Sequence, residues 1–455
     1  MKIFNTLSGE KEELRIPADR ALKLFVCGPT VYDYPHIGNA RTFMVFDIFA
    51  RFLRSRGVKL TYLQNITDID DKIIDRANEE STDWEEIARR YEKVFLEDMR
   101  ALGISSVDMY ARATNYIPEI VAQVKTLIHK KHAYLIGGDG YYFDLATFPD
   151  YGKLSRRTVS QAEDAVSRID ASDKKRNRGD FALWKFSQEN EPGWETELGF
   201  GRPGWHIEDT AITEHFFGSQ YDIHGGALDL KFPHHEAEIA QQESASGKSP
   251  FVRSWMHSGF LTVRGEKMSK SLKNFITIRG FMLKYPPEIF RMLTFMHHYR
   301  SPLDYTEELV SAAKKNLSDI GAFLAKLKTV RGEKNTSFGS EFSKKFSEAM
   351  QDDMNTPRAL GTIFETMALS QPEFWDMSPR SAKNLIKEIE VALKSVGIEA
   401  PKPKITLKIK LLAHRREKYR KSQQFIQSDT LRNRILELGF TIEDTPRGPF
   451  LWIKT

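Results

Sequence analysis

Apolar and polar residues change their spacing along the first 65 residues, and this change predicts the fold. The run ALKLFV at 21–26 is apolar enough for a short buried strand, and the turn residues CGPTVYDYP follow it. From about Gly38 to Arg56 the apolar positions lie on nearly every side of a predicted helix, and Gly57 suits its end. VKLTYLQN at 58–65 predicts a second strand. Strand, helix and strand together predict a right-handed βαβ unit, which begins a Rossmann-like parallel sheet.

The rest of the chain divides into segments of different pattern. The predicted segments are helices from about 75 to 130, a hairpin at 137–145, a charged loop at 172–179, strands at 221–226 and 258–263, and amphipathic helices from about 305 to 400. A small β-like unit, GFTIEDTPRGPFLW, closes the chain. We therefore predict an α/β fold: a Rossmann-like parallel-sheet domain with an inserted subdomain, followed by a helical bundle and a small mixed α/β C-terminal domain.

The predicted domain boundaries follow these changes of pattern. The first domain covers residues 1–305, with the insertion at about 113–200 and a connective region at about 258–305. The helical bundle covers 306–400, and the C-terminal domain covers 401–455.

Composition and charge fit a soluble protein of several domains. Of 455 residues, 40% are hydrophobic and 28% are charged. The 67 Lys plus Arg against 62 Asp plus Glu give a net charge of +5, which permits a polyanionic partner without requiring one. We expect neither a signal peptide nor a membrane span, because Asp47 and Arg51 break the most apolar run. The single cysteine, Cys27, excludes an internal disulfide and fits a reducing cytoplasm.

The string PHIGN at 35–39 is the first candidate for chemistry. His36, Gly38 and Asn39 stand where the first predicted strand turns into the helix. A helix N-terminus offers backbone N–H groups and a positive dipole end, which favour a phosphate. The imidazole and the side-chain amide add donors for charge that develops at an α-phosphate. Taken alone, the string is more often just a capped helix start.

The string KMSKS at 267–271 is the second candidate. It follows a hairpin pattern and supplies two ammonium groups, Lys267 and Lys270. Such cations can close over a pyrophosphate leaving group in the transition state. Taken alone, this string is more often just an exposed basic loop. Both strings together, in this order, indicate a nucleotide site that activates a carboxylate with ATP.

With these residues the chain resembles a known family. The strings VCGPTVYDYPHIGNARTF, NITDIDDKI, RPGWHIE, DIHGGALDLKFPHHEAEIAQ and GEKMSKSLKNF match the class I cysteinyl-tRNA synthetases in order and with compatible spacing. The closing GFTIEDTPRGPFLW also matches, so the resemblance covers essentially the whole chain. It implies a cysteine–tRNA ligase that forms cysteinyl-adenylate from cysteine and ATP with Mg²⁺, then transfers the cysteine to the 3′ end of tRNA(Cys). We expect a cytoplasmic monomer.

The resemblance also implies a metal site. His234 and Glu238 are four residues apart on a predicted helix, so one cation could bind both, although such a pair is more often surface decoration. In the family one zinc is held by two cysteines, a histidine and a glutamate, which map here to Cys27, residue 209, His234 and Glu238. Residue 209 is Asp in this chain, where the family has Cys.

The substitution at residue 209 leaves three interpretations open. Thiolate and carboxylate carry the same charge, and zinc bonds sulfur at about 2.3 Å and carboxylate oxygen at roughly 2.0–2.2 Å. Asp209 therefore either ligates zinc directly, or the site holds a weaker or different metal, or it has lost its metal. Apolar packing separates cysteine from serine by only about 1–3 kcal/mol, whereas zinc prefers thiolate to hydroxyl. Our hypothesis is that the substrate thiol joins the four residues on the metal.

Further substrate contacts are implied by the same resemblance. Besides Cys27, the residues around the bound amino acid are Thr67, Trp205, His224 and His234. The ATP contacts are His36, Gly38, Asn39, Asp229 at the ribose, and Lys270. A smaller departure is Lys273, where glycine is more usual, and we expect it to alter only the flexibility or the charge of the loop.

The C-terminal end carries the predicted RNA contacts. Between Lys402 and Lys421 there are nine Lys or Arg against one Glu, a pattern that fits either a solvated helix face or a nucleic-acid footprint. The resemblance implies that the bundle contacts the tRNA stem and that the last domain binds the anticodon. The anticodon positions are Arg420, Asp429 and Asp444, with Trp452 close by.

Two alternatives stay open. An enzyme with the same adenylation core could join cysteine to a small amine, as mycothiol-type ligases do, and the full C-terminal domain argues against it. A paralogue could bind tRNA or nucleotide without charging it, which Asp209 makes conceivable. The intact HIGN and KMSKS strings argue against that second alternative.

Overall fold

The chain forms two compact units. The structure, a computed structural model, describes residues 1–157, 172–188, 191–204, 206–268 and 274–454. The first unit is Met1–Pro287 with Tyr299–Asp304, and the second is Glu288–His298 with Tyr305–Thr455. No helix among the described residues is long and apolar enough to cross a membrane.

A five-stranded parallel sheet is the centre of the first unit. Its strands, in spatial order, are β11 (Val252–Ser258), β10 (Tyr221–Ala227), β3 (Leu22–Val26), β4 (Leu60–Ile66) and β5 (Met109–Arg112). The order reverses between β3 and β10, and a crevice at the carboxyl ends of the strands is expected at such a switch point. The predicted Rossmann-like sheet is confirmed.

Helix α1 (Ile37–Ser55) connects β3 to β4, as predicted, and is buried on nearly all sides because it packs against the sheet. Gly57 has φ +80°, the left-handed conformation that favours glycine after a helix end. The prediction of continuous helix from about 75 to 130 is wrong in part. The four-residue edge strand β5 interrupts it by pairing with β4.

The remaining elements of the first unit surround this sheet. Its other helices are α2 (Asp71–Glu80), α3 (Trp84–Ala101), α4 (Ile117–His129), α5 (Ile207–Phe217), α6 (His234–Ser246) and α7 (Ile278–Met282). The inserted antiparallel sheet consists of β6 (Ala133–Ile136), β7 (Gly140–Phe143), β8 (Phe181–Phe186) and β9 (Gly201–Pro203). The other strands are β1 (Lys2–Asn5), β2 (Glu10–Glu13), β12 (Leu261–Val263), β13 (Glu266–Lys267) and β14 (Leu303–Tyr305). Short 3₁₀ turns cover Ala113–Tyr116, Leu145–Thr147 and Leu228–Lys231.

The second unit is helical and ends in a small mixed α/β part. Its helices are α8 (Pro287–Phe295), α9 (Glu307–Leu327), α10 (Phe338–Gln351), α11 (Thr356–Ser370), α12 (Pro379–Ser395), α13 (Leu407–Lys421) and α14 (Phe425–Glu437), with a 3₁₀ turn at Gln371–Glu373. Strands β15 (Phe440–Thr445) and β16 (Gly448–Ile453) pair antiparallel. A separate apolar cluster holds α13, α14 and this hairpin together, with Ile409, Ile435 and Leu451 among its members.

Candidate active site

A cavity of about 790 Å³ lies at the switch point of the parallel sheet. Among the predicted site residues, its lining contains Cys27, His36, Gly38, Asn39, Thr67, Asp209, Asp229 and His234. These residues come from five separate stretches of sequence, and the fold brings them to one cleft. Clefts at this position of a parallel sheet are the usual binding sites in α/β proteins.

The start of α1 forms one wall of the cavity. Nδ1 of His36 accepts hydrogen bonds from the backbone N–H groups of Gly38, at 3.0 Å, and Asn39, at 3.3 Å. The side-chain oxygen of Asn39 in turn accepts from the backbone N–H of His36 at 3.3 Å. This reciprocal cap fixes the imidazole and the amide at the cavity wall. We expected the backbone N–H groups at this helix start to face a phosphate. Those of Gly38 and Asn39 instead donate to His36, so this expectation is corrected.

Gly38 is required by close approach. A Cβ atom at this position would lie 2.8 Å from Nδ1 of His36 and 2.8 Å from Cε of Met268. Met268 follows β13 and lines the same cavity, so the start of α1 and the beginning of KMSKS are in contact through this glycine. Of the other predicted residues, Trp205, Lys270 and Lys273 lie outside the described residues, and Lys267 is the last residue of β13.

The described residues do not gather the four predicted metal ligands into one group, and these ligands form two pairs instead. The sulfur of Cys27 lies 3.5 Å from Oδ2 of Asp209, which stands in the first turn of α5. His234 and Glu238, one turn apart on α6, form a group with His206, and the donor atoms of this group all lie within 4.8 Å of one another.

His206 was missed by the sequence reasoning. It precedes α5 with φ +74°, and its Nδ1 lies 2.5 Å from Nδ1 of His234. The only signal in the sequence was its position in the GWHIE string. Spacing could not reveal it, because 28 residues separate it from His234.

Burial sets the protonation of these groups in the absence of a cation. Desolvation, followed by the charge of Asp209, raises the pKa of the Cys27 thiol well above its ordinary value. Desolvation also raises the pKa of Asp209 to about 7 and that of Glu238 well above the ordinary value. The same effect lowers the pKa of His234 to about 3, which leaves a neutral imidazole with a lone pair to offer.

The donor set fits a divalent cation. Within the described part of the chain, no hydrogen bond reaches either carboxylate oxygen of Glu238 or Oδ1 of Asp209, although both residues are buried. Buried carboxylates without donors are costly, and a bound cation would satisfy them. One sulfur, one imidazole nitrogen and carboxylate oxygens are ligands that zinc accepts.

His224 is not where the sequence reasoning placed it. We expected it at the wall around the amino acid, but it is fully buried behind Glu238. Its Nδ1 bonds the hydroxyl of Tyr221 at 2.7 Å and lies 3.5 Å from Oε2 of Glu238, while its ring stacks on Trp255. His224 therefore lies in the core beside Glu238 and does not line the cavity.

The predicted RNA contacts meet in the last part of the second unit. Nη1 of Arg420 lies 2.7 Å from Oδ1 of Asp444, and the buried Arg416 also binds this carboxylate through both terminal nitrogens. The hydrogen bonds from Arg416 hold the pKa of Asp444 below its ordinary value. Asp429 is exposed on α14.

Trp452 is less available than predicted. Only 7% of the residue is exposed, and its indole N–H donates to the hydroxyl of Ser318 at 2.9 Å. It therefore packs within the unit and offers little of its ring to a ligand. Phe425 and Ile426, at the start of α14, are instead 59% and 83% exposed. A sequence pattern alone does not distinguish such exposed apolar residues from core residues.

The chain is similar in sequence and in fold to known aminoacyl-tRNA synthetases. The family described as tRNA synthetases class I (C) catalytic domain matches residues 14–315, and the DALR domain matches residues 345–368. The chain is 41% identical to the cysteine–tRNA ligase of Thermococcus gammatolerans, with 98% of each chain covered. It is 41% identical to that of Trichlorobacter lovleyi, with 100% of each covered. A solved Mycobacterium tuberculosis methionyl-tRNA synthetase in complex with methionyl-adenylate shares the fold, with a TM-score of 0.59 at 16% identity over 83% of this chain and 89% of that chain.

Proposed function

The chain belongs to the cysteine–tRNA ligases, a family of class I aminoacyl-tRNA synthetases, and we propose that it joins L-cysteine to tRNA(Cys). In the first step a carboxylate oxygen of cysteine attacks the α-phosphorus of ATP, and pyrophosphate leaves. In the second step a ribose hydroxyl at the 3′ end of the tRNA attacks the carbonyl of cysteinyl-adenylate, and AMP leaves. Both steps need orientation and charge stabilisation rather than a covalent enzyme intermediate.

One observation carries the proposal: a single cavity contains both the HIGN residues and three of the four candidate metal ligands. His36 and Asn39 stand on one wall, and Cys27, Asp209 and His234 line the same space. An amino acid whose side chain is held by the candidate metal ligands would direct its carboxylate towards a nucleotide bound at His36 and Asn39. The arrangement therefore supports adenylation of a thiol-bearing amino acid.

The roles on the nucleotide side follow from charge. His36 and Asn39, fixed by their mutual cap, would donate to the oxygens of the α-phosphate as charge develops there. Lys267 and Lys270 of KMSKS would neutralise the departing pyrophosphate, which leaves with Mg²⁺. Asp229, in the 3₁₀ turn Leu228–Lys231, would accept hydrogen bonds from the adenosine ribose.

On the amino-acid side we assign Cys27, Asp209, His234 and Glu238 as the residues that would hold zinc. When bound, zinc would supply a ligand position that prefers a thiolate to a hydroxyl, and this preference would separate cysteine from serine. Thr67 and Trp205 complete this part of the site in the proposal. Thr67 is held by the side-chain amide of Asn65 at 3.2 Å and lines the cavity.

The tRNA would bind mainly to the second unit. We propose that residues 306–400 contact its stem and that residues 401–455 read the anticodon, with Arg420, Asp429 and Asp444 at the bases. The basic run on α13 would contact phosphates, while carboxylates accept hydrogen bonds from base edges. A full-length match to cysteine–tRNA ligases that includes this unit favours tRNA over a small amine as the acceptor. The proposal includes a cytoplasmic, monomeric enzyme.

Two assays test the proposal. ATP–pyrophosphate exchange and tRNA(Cys) charging are measured with cysteine and with serine, on chelator-treated protein before and after addition of zinc. We expect cysteine-dependent exchange and charging that zinc restores, and little reaction with serine. Full activity and selectivity of a protein shown by elemental analysis to be metal-free would refute the zinc assignment. Exchange without any charging of tRNA would refute the acceptor.

A further inference from the structure

Arg41 is a buried cation without a carboxylate partner. It lies on α1, two residues after Asn39, and only 1% of it is exposed. Within the described residues, no Asp or Glu forms an ion pair with it. Burial lowers the pKa of the guanidinium to about 10. Burying a charge in this way is unfavourable unless hydrogen bonds compensate it, so the groups that bond Arg41 determine how it is held.

The hydrogen-bond partners of Arg41 among the described residues are backbone carbonyls at the base of the KMSKS hairpin. Nη1 donates to the carbonyl of Gly259 at 2.9 Å and to that of Phe260, and Nη2 donates to the carbonyl of Ser301. A Cβ on Gly259 would lie 2.5 Å from the same Ser301 carbonyl, so this turn is tightly packed. The sequence pattern predicted one strand at 258–263, but the structure breaks it here, between β11 and β12.

Further contacts tie both sides of KMSKS to the start of α1. On the near side, the hydroxyl of Thr42 bonds that of Ser258 at 2.8 Å. On the far side, the N–H of Ile37 donates to the carbonyl of Ile276, and the N–H of Ile278 donates to that of Pro35, both at 3.0 Å. Residues on both sides of the KMSKS string in the sequence therefore contact the start of α1.

We propose that Arg41 is a positioning residue for adenylate formation, which fixes the hairpin carrying Lys267 relative to His36 by holding the Gly259–Phe260 turn against α1. The inference rests on the proposed function, since it assigns both motifs to one transition state. Arg41 is buried and does not line the cavity, so it contacts neither substrate. It affects the reaction only by holding the hairpin in position.

The test compares R41Q and R41K with R51Q. Arg51 lies on the same helix, but it bonds Asp47, Gly103 and Ser105, away from the hairpin. In cysteine-dependent ATP–pyrophosphate exchange, R41Q should lower kcat about 100-fold, since a misplacement of about 1 Å has an effect of this size. The KM for cysteine should stay near the wild-type value, R41K should recover part of kcat, and R51Q should resemble wild type.

A second measurement does not depend on activity. Amide hydrogen exchange across 257–268, without substrates, should be faster in R41Q than in R51Q or wild type. Wild-type kcat in R41Q, or unchanged protection of 257–268, would overturn the role of Arg41. The role would also be overturned if R41Q and R41K lowered kcat equally and both raised the KM for cysteine, because this result would indicate general unfolding. Absence of cysteine-dependent exchange in wild type would instead refute the proposed function, and the protection pattern would still report on the hairpin.

Discussion

The sulfur of Cys27 lies 3.5 Å from a carboxylate oxygen of Asp209, and both side chains are buried. Cys27 follows β3, whereas Asp209 stands at the start of α5, so the fold brings them together across 182 residues. Desolvation raises the pKa of both groups, well above the ordinary value for the Cys27 thiol and to about 7 for Asp209. A divalent cation that bound both would displace any protons they carry. Asp209 therefore places an acidic donor beside Cys27.

Removal of this donor should weaken metal binding. The variant D209N keeps the size of the side chain but loses its charge. We expect zinc affinity to fall at least about 10-fold, because even changes outside the ligand set commonly have that effect. D209C, which supplies a thiolate, should bind zinc as well as wild type or better. Competition with a chromophoric chelator measures the affinity, and the ratio of cysteine to serine exchange measures selectivity.

Glu214 provides the matched control for this prediction. It lies on the same helix, and one of its carboxylate oxygens accepts from the side-chain amide of Gln123 at 3.0 Å. E214Q removes a charge without touching the four candidate ligands, so its zinc affinity should equal that of wild type. If D209N bound zinc as tightly as E214Q, Asp209 would not be a ligand.

The fold was predictable where burial leaves a local pattern. Strands β3 and β4 are short segments rich in apolar, aromatic and β-branched residues, and α1 is apolar on nearly all sides, so their types and approximate bounds follow from the sequence. Strand β5 was missed because a short edge strand with mixed burial has no distinct period. The break at Gly259–Phe260 was missed because it depends on carbonyl contacts with Arg41.

The candidate site was predictable mainly through the family resemblance. The cavity contains three HIGN residues and three of the four candidate metal ligands, but long-range pairing had no local signal. His206 reaches His234 only through a left-handed backbone conformation next to α5. His224 contacts Tyr221 and lies beside Glu238 in the core, an arrangement that depends on tertiary packing. The contacts of Trp452 with Ser318 likewise depend on tertiary packing, which no spacing reveals.

The contact between Gly38 and Met268 predicts a strong effect of a single methyl group. In G38A the new Cβ would lie 2.8 Å from both the His36 ring and the terminal methyl of Met268, so the cap or the Met268 side chain must shift. We expect kcat for ATP–pyrophosphate exchange to fall about 100-fold, since displaced catalytic groups have effects of that order. Metal content should not change, because the four candidate ligands are not moved.

Gly361 is the control for this substitution. It lies on α11, and a Cβ built there meets nothing within 4 Å. G361A should leave exchange unchanged and raise stability by about 0.4–1 kcal/mol, because alanine restricts the unfolded chain. Wild-type exchange by G38A would show that the close approach to Met268 has no part in the reaction.

The ion pairs of Asp444 predict a pH-dependent contribution to stability. Hydrogen bonds from Arg416 lower the pKa of this carboxyl, so its charged form stabilises the folded state. The contribution is complete above the ordinary pKa of an aspartate and is lost as pH falls through the lowered value. Wild type should therefore melt above D444N at about pH 6, and the difference should shrink towards about pH 3. D429N, at an exposed position, should show no such difference. A constant gap between wild type and D444N across this range would exclude the ion pair as its cause.

The pair of Arg420 and Asp444 allows recognition of anticodon bases to be distinguished from attraction to the RNA phosphates. Arg420 and Asp444 lie 2.7 Å apart, so an anticodon base that bonds one of them must compete with the other. We expect R420Q and D444N to lower kcat/KM for tRNA(Cys) charging about 10-fold or more while ATP–pyrophosphate exchange stays unchanged. Charging of tRNA with altered anticodon bases should be reduced less, because the lost contacts are specific.

A lysine of the basic run gives the contrasting case. Lys408 is exposed on α13, and K408Q removes one positive charge without touching Asp444. If it contacts phosphate, its loss should weaken all tRNA substrates uniformly and reduce the salt dependence of binding by about one unit of slope. D444N should instead leave the salt slope near the wild-type value, because a carboxylate releases no counterions from the RNA. If D444N lowered kcat/KM for charging equally with cognate and altered anticodons, this carboxylate would only hold Arg416 in position and would not contact a base.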